Sequence, residues 1–331
     1  MASEVGVRLF RVFLLLVLVA AALTGWYTLA PYGPSRQTFV EIAPGESSPA
    51  IAAQLERAGV VRSRYALLAM KALHGGTWKA GEYLFDHAAT PDEVHRRLRR
   101  GDVYTIALTI PEGFNLFDIA QTVQASGLGD AKAFLAAERA DTQLIAKWSP
   151  GAASLEGFLF PDTYRFSRHA TPLQMLTVMV RRFAQQAAKL GLTQDVQSTV
   201  TLASLVEKEV HVDNERARVA GVFVNRLAQG MPLQTDPAVI YASLLNGTWT
   251  GVIHQSELRS LSPYNTYLHT GLPPGPICNP GLASLAAAMH PVKNDDLYFV
   301  ARPDGTTAFA TTLAEHHANV QKYLQQGAGS R

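Results

Sequence analysis

The residue types best suited to chemistry sit on one short helical stretch, Thr201 to Val210. Advancing about 100° per residue, Leu202, Leu205, Val206 and Val210 share one apolar stripe, and Glu209 falls inside it, within about 40° of its centre. Glu207 lies about 120° from that centre, beside Lys208 on the side expected to be wet. A carboxyl held against apolar neighbours loses the hydration of its charged form, so its pKa rises and it keeps a proton near neutral pH. Such a group can donate that proton to a leaving oxygen. The alternative is a structural glutamate paired with Arg216, Arg218 or Arg226, since buried ion pairs are common. Periodicity leaves both readings open.

Other constellations are weaker. His211 with Asp213, and His316 with His317, lack the i, i+4 spacing that lets two helical ligands share one ion, so no metal site is expected. Ser204 and Ser256 have no nucleophile-elbow context, no phosphate-cradling Gly-x-x-x-x-Gly-Lys occurs, and no cofactor is implied. The single cysteine, Cys278, cannot form an internal disulfide and reads as a small buried residue. A net charge of +2 without a basic run argues against a nucleic-acid partner.

The elements that must position these groups begin with an uncharged stretch, Val12 to Gly33, with Leu14 to Val19 at its centre. About 20 helical residues cross a hydrocarbon core of about 30 Å. Arg8 and Arg11 before the stretch favour a cytoplasmic amino terminus, and Trp26 and Tyr27 suit the far interface. The competing reading is a cleaved signal peptide with its cut site near Ala20, Ala21 and Ala22; either one exports the chain. Pro31, Gly33 and Pro34 mark a linker.

Beyond the linker, Phe39 to Ile42 is strand-like, Ser48 and Pro49 open a helix that stops at Gly59, Ser63 caps a second, and Thr90, Pro91 and Glu93 form a capping-box start for a third. The pattern returns 68 positions later, where Ile42, Gly45, Ile51, Ala52 and Gly59 match Ile110, Gly113, Ile119, Ala120 and Gly127. Two small α+β units are therefore expected. After Pro150 an aromatic run, Leu155 to Tyr164, leads into a mostly helical region with periodic stretches Leu173 to Leu190, Val196 to Val210 and Glu215 to Ala228. Phe158, Phe160 and Tyr164 read as core. Pro263 to Gly281, rich in Pro, Gly, Asn and Tyr, reads as a long ordered loop.

These residues resemble the endolytic murein transglycosylases, the YceG-like or MltG family, over nearly the whole chain. The resemblance is carried by Glu156 to Tyr164, Ala203 to Val210, Asn225 to Leu227, Leu233 to Pro237 with Tyr241, Tyr264 to Tyr267, Gly271 to Pro276 and Asn279 to Gly281. It implies an α+β protein with an N-terminal transmembrane helix, small LysM-like units and a mainly helical, lysozyme-like catalytic domain carrying a long loop or small-strand region. The expected boundaries are 1–36 for the cytoplasmic tip, transmembrane helix and linker, 37–102 for a LysM-like domain, 103–150 for a second α+β unit and 151–331 for the catalytic domain.

The resemblance further implies cleavage of the β-1,4 bond between N-acetylmuramic acid and N-acetylglucosamine within peptidoglycan strands, leaving 1,6-anhydromuramic ends. The family's catalytic glutamate falls on Glu209, the residue the stripe turns inward. Where family members often carry Thr after that glutamate, this chain has Val210, so the group that orients the carboxyl stays open. Gln234, Thr235, Asp236, Tyr264, Asn265, Thr266 and Tyr267 are types that hold sugars, with Gln234, Tyr264 and Asn265 favoured, while the alternative is that they brace the loop. Glu156 is expected as a further substrate contact, and a muramidase-type hydrolase, which needs a second carboxylate, could use Asp236 or Glu156. A non-catalytic wall-binding anchor is the third reading. Peptidoglycan strands, peptidoglycan synthases (penicillin-binding proteins) and the inner membrane are the expected partners, with the catalytic domain in the periplasm.

Overall fold

The computed structural model describes residues 2–210 and 212–328, so the His211 of the first histidine pair lies outside the described residues. The chain forms two compact units, residues 1–105 and 106–331, and is a mixture of helices and small two-stranded sheets.

The first unit opens with α1 (Ala2–Leu29), in which Val7–Leu29 is long and apolar enough to cross a membrane. An antiparallel pair follows, β1 (Thr38–Ile42) with β2 (Gly81–Phe85), set so that Val40 faces Tyr83. Val40 and Ile42 point inward and Glu41 outward, as the two-residue period requires. Between the strands run α2 (Ser48–Arg57) and α3 (Arg64–His74), and α4 (Pro91–Arg100) comes after them. Ser48 and Pro49 open α2 as expected, and its cap is the preceding Ser47, whose hydroxyl accepts from Ala50 N. Ser63 holds the cap position of α3 but makes no side-chain cap bond. Thr90 and Glu93 form the expected capping box of α4. Leu55, Leu67, Tyr83, Val94 and Leu98 fill the core.

The second unit repeats the strand–helix–helix–strand order. It runs β3 (Ile106–Ile110), α5 (Leu116–Ala125), α6 (Ala131–Ala140) and β4 (Asp162–Phe166), with β3 and β4 antiparallel. The 68-residue spacing holds bond for bond. Ile51 N donates to Ser47 O and Ile119 N to Asn115 O; Val60 N donates to Leu55 O and Leu128 N to Val123 O. Gly45 and Gly113 share φ near +80°, and Gly59 and Gly127 near +70°, conformations open to glycine without a Cβ penalty. The repeat thus records one local solution used twice. In the second copy the return strand lies beyond residue 150 and takes in the end of the aromatic run, whose Phe158 stacks on Trp148 and meets Phe183 edge-on. Phe158, Phe160 and Tyr164 are buried, as read.

The helical part comprises α7 (Pro172–Leu190), α8 (Val196–Glu209), α9 (Arg216–Ala228), α10 (Asp236–Leu245), the single turn α11 (Gln255–Leu258) and α12 (Leu282–Met289). A hairpin, β5 (Tyr298–Ala301) with β6 (Thr307–Ala310), and α13 (Leu313–Ala328) complete it. Helix α8 is the central post. Val200 and Ala203 belong to the core shared with α5, α6 and α7, whereas Leu202, Leu205 and Val206 belong to a second core with Val219, Phe223, Tyr241 and Ile277. Each fully buried Leu or Val contributes about 1.5–3 kcal/mol. The segment from Pro263 to Gly281 has no helix or strand but is tied down, with Asn265, Thr266, Ile277, Cys278 and Asn279 all buried.

Candidate active site

Glu209 is the last residue of α8, and Val210 turns out of the helix with extended backbone. The side chain enters a cleft of about 310 Å³. Helix α9 supplies Phe223 and Arg226, three residues apart on one face; the approach to α10 supplies Gln234, Thr235 and Asp236; the long loop supplies Tyr267; β5 supplies Phe299; and α13 supplies His316. Burial pushes the Glu209 carboxyl up to about 7; the like charge of Asp236 adds to the rise and Arg226 opposes it. Among the described residues Glu209 makes no hydrogen bond or ion pair.

The three arginines that could have neutralised it are committed elsewhere. Arg216 pairs with Asp213 at 2.7 Å and Glu207 at 3.4 Å, and Arg218 with Asp296 at 2.7 Å. Arg226 donates to the carbonyls of Leu297 (2.6 Å), Leu233 (2.9 Å) and Pro232 (3.3 Å). It borders the cleft as a clamp between α9, the 232–234 loop and the approach to β5.

Glu207 departs from the expectation of a solvated side chain. Its carboxylate is 6% exposed, pairs with Arg216 and accepts from Gly281 N at 3.0 Å. Packing of α12 and α9 against α8 covers the face that the periodicity assigned to water.

The loop around Gln234 is held under strain. Gln234 adopts φ +53°, left-handed for a residue with a Cβ, at a cost of about 1–2 kcal/mol. Its N–H donates to Thr266 O at 3.0 Å, and Thr235 N donates to Thr266 Oγ1 at 3.0 Å. These bonds, with the bridge between Pro232 and Thr270, hold the strained turn and leave the Gln234 side chain exposed in the cleft. Thr235 Oγ1 is buried without a partner. Tyr267 donates its hydroxyl to Asp236 Oδ1 at 2.7 Å, fixing that carboxylate at the rim.

The remaining expected site residues lie elsewhere. Asn265 is fully buried; its amide donates to the carbonyls of Leu258 (3.0 Å) and Ser260 (2.8 Å), and its carbonyl accepts from Tyr267 N at 3.1 Å. Thr266, likewise buried, braces the 234–235 turn. Tyr264 packs edge-on against Tyr241 and lines a separate cavity of about 200 Å³, together with Glu156. Glu156 accepts from Leu116 N (3.0 Å) and Asn279 Nδ2 (2.9 Å), and burial raises its carboxyl to about 8. Cys278 is buried and donates its thiol to Ser204 O. Among the described residues no cluster of three or more His, Cys, Asp or Glu could hold a metal.

Four cleft residues, Phe223, Arg226, Phe299 and His316, were not read as site residues from sequence. The sequence offers Arg226 only as a partner for Glu209 and His316 only as half of a histidine pair. The hairpin and helix that bring in Phe299 and His316 lie about 90–110 positions beyond Glu209, a distance periodicity does not span.

The YceG-like family model matches residues 40–322. The chain is 33% identical to an endolytic murein transglycosylase of Bacillus subtilis, over 93% of this chain and 91% of that protein. It is 32% identical to one from Streptococcus pneumoniae, over 86% of this chain and 58% of the longer protein. A crystal structure of a YceG-like protein from Listeria monocytogenes superposes with a TM-score of 0.58 at 32% identity, covering 86% of this chain and all of the other. The chain therefore belongs to the YceG-like family.

Proposed function

We propose that the chain is a membrane-anchored lytic transglycosylase that cuts the β-1,4 bond between N-acetylmuramic acid and N-acetylglucosamine inside peptidoglycan strands. The observation that carries this reading is Glu209: a carboxyl with no bonding partner among the described residues, held by burial near pKa 7, in an open cleft. Protonated, it gives its proton to the glycosidic oxygen as the bond to the anomeric carbon breaks. As carboxylate, it then takes the proton of the muramic 6-hydroxyl, whose oxygen closes on that carbon to form the 1,6-anhydro end. No water is consumed, so one acid suffices. Relatives named endolytic murein transglycosylases at 32–33% identity support the assignment.

Gln234, Thr235, Asp236 and Tyr267 would contact the strand directly. Asn265 and Thr266 would act through the loop they brace, Tyr264 would belong to a more distant part of the groove, and Glu156, bonded beside the same cavity, would act through the packing it ties together. Val210 supplies no polar group, so the field of Asp236 and Arg226 would set the state of the carboxyl in its place. The helix Val7–Leu29 would hold the protein in the inner membrane with its amino terminus cytoplasmic and residues 37–331 periplasmic. Residues 37–102 would be a LysM-like, weakly glycan-binding domain, followed by a second small α+β unit at 103–150, closed by the strand at 162–166, and a lysozyme-like catalytic domain at 151–331. Placement beside peptidoglycan synthases would let it end nascent strands.

A second reading, the muramidase-type hydrolase, is favoured by one observation: Asp236 lies in the same cleft and could activate a water. Mass spectrometry of digested sacculi separates the two. Products lighter by one water, lost with Glu209→Gln, are expected; reducible ends would replace the first reading with the second. Strand binding without cleavage would leave only the wall anchor.

A further inference from the structure

The hairpin β5–β6 ends in a turn whose two threonines start α13. Thr311 N and Thr312 N both donate to the Glu315 carboxylate, and Glu315 N donates back to Thr312 Oγ1. This reciprocal cap sets the helix phase and puts His316 on the first turn, with its N–H on Thr312 O at 3.0 Å. The imidazole lies nearly parallel to Tyr298, with centroids 5.3 Å apart and planes 23° apart, and Tyr298 in turn faces the Arg226 guanidinium at 5.1 Å. His316, Tyr298 and Arg226 thus form a stack whose histidine end borders the cleft that Glu209 enters.

The ring has an unusual hydrogen-bonding state. Among the described residues the buried Nδ1 has no hydrogen-bond partner. An orphaned buried donor is rarer and costlier than an orphaned acceptor, so the favoured neutral tautomer leaves the lone pair on Nδ1 and the proton on Nε2. Burial, Arg226 and His317 hold the imidazole below its ordinary pKa, which keeps it neutral at physiological pH. A neutral N–H donor on a rigid aromatic base, beside an acid, is suited to an uncharged acceptor oxygen.

We propose that His316 is a substrate-contacting residue whose Nε2–H donates to a hydroxyl or acetamido carbonyl of the glycan in the Glu209 cleft. This rests on the glycan-cleaving reading of that cleft. The competing role is purely structural, a plate on which Tyr298 packs.

Two variants of the full chain separate the roles. His316→Phe keeps a ring on Tyr298 but has no donor; His316→Gln places an amide N–H near the position of Nε2. Losing a hydrogen bond to a neutral sugar oxygen is expected to lower kcat/KM on purified strands about tenfold in the Phe variant, with Tm unchanged. Glutamine should restore part of that loss. Binding of intact strands to the Glu209→Gln protein should weaken by a similar factor when His316→Phe is added. Wild-type kcat/KM and binding in the Phe variant overturn the proposal, as does a loss that follows Tm and that glutamine does not relieve. If Glu209→Gln itself still cuts, the reading of the cleft falls, and the His316 assignment falls with it.

Discussion

Glu209 and Glu156 lie in the same unit, and burial raises both carboxyls, to about 7 and about 8. Their bonding differs. Glu156 borders a small cavity, but its oxygens are taken by Leu116 N, Asn279 and Tyr241, donors that tie the start of α5, the loop before α12 and α10 together. Glu209 has no bonding partner among the described residues and opens on a cleft. A raised pKa therefore does not by itself mark a functional acid. Freedom from partners makes the distinction, and the Glu156 knot reads as architecture.

The contrast can be broken most severely at Glu209. Glu209→Gln should reduce strand cleavage by about 10²–10⁴-fold, the range for a lost general acid, with Tm preserved. Glu156→Gln should do the reverse. It sets an amide against donors that need acceptors, at a cost of about 1–3 kcal/mol and a Tm lower by several degrees, while the folded fraction keeps its kcat. An unchanged Tm, or a kcat loss like that of the Glu209 variant, would erase the distinction.

pH dependence sharpens the comparison. Each glutamate binds its proton more tightly folded than unfolded, so each contributes stability that is present below the ordinary value of 4.5 and is lost as pH rises through the folded value. Tm is expected to be lower at about pH 9 than at about pH 5, and Glu156→Gln should flatten that slope more than Glu209→Gln, because its window extends further. Activity is set by Glu209 alone: kcat/KM should fall above pH 7 as the acid loses its proton. The smallest expected effect is from Asp236→Asn. Removing that charge should shift the limb toward lower pH, and a shift the other way would mean Asp236 does not act on Glu209.

The inward turn of Glu209 was legible because α8 carries a clean helical stripe, and the two strand–helix–helix–strand copies because their Gly and cap positions recur. Glu207 was misjudged because one-sided amphipathicity assumes one buried face, whereas α8 is covered on both sides and satisfies Glu207 with Arg216 and Gly281 N. Asn265 shows the limit of residue type: the side chain that could hold an acetamido group is spent on the backbone carbonyls of Glu257, Leu258 and Ser260. His316 was illegible because only the fold of the β5–β6 hairpin carries it back to α8.

The most direct measurement is the titration of the Glu209 side chain, followed by NMR of the carboxyl carbon and assigned by its disappearance in Glu209→Gln. We expect a midpoint near 7 in the free protein. A midpoint at the ordinary glutamate value of 4.5 would mean the carboxyl is ionised at neutral pH and has no proton to give, which contradicts the proposed chemistry.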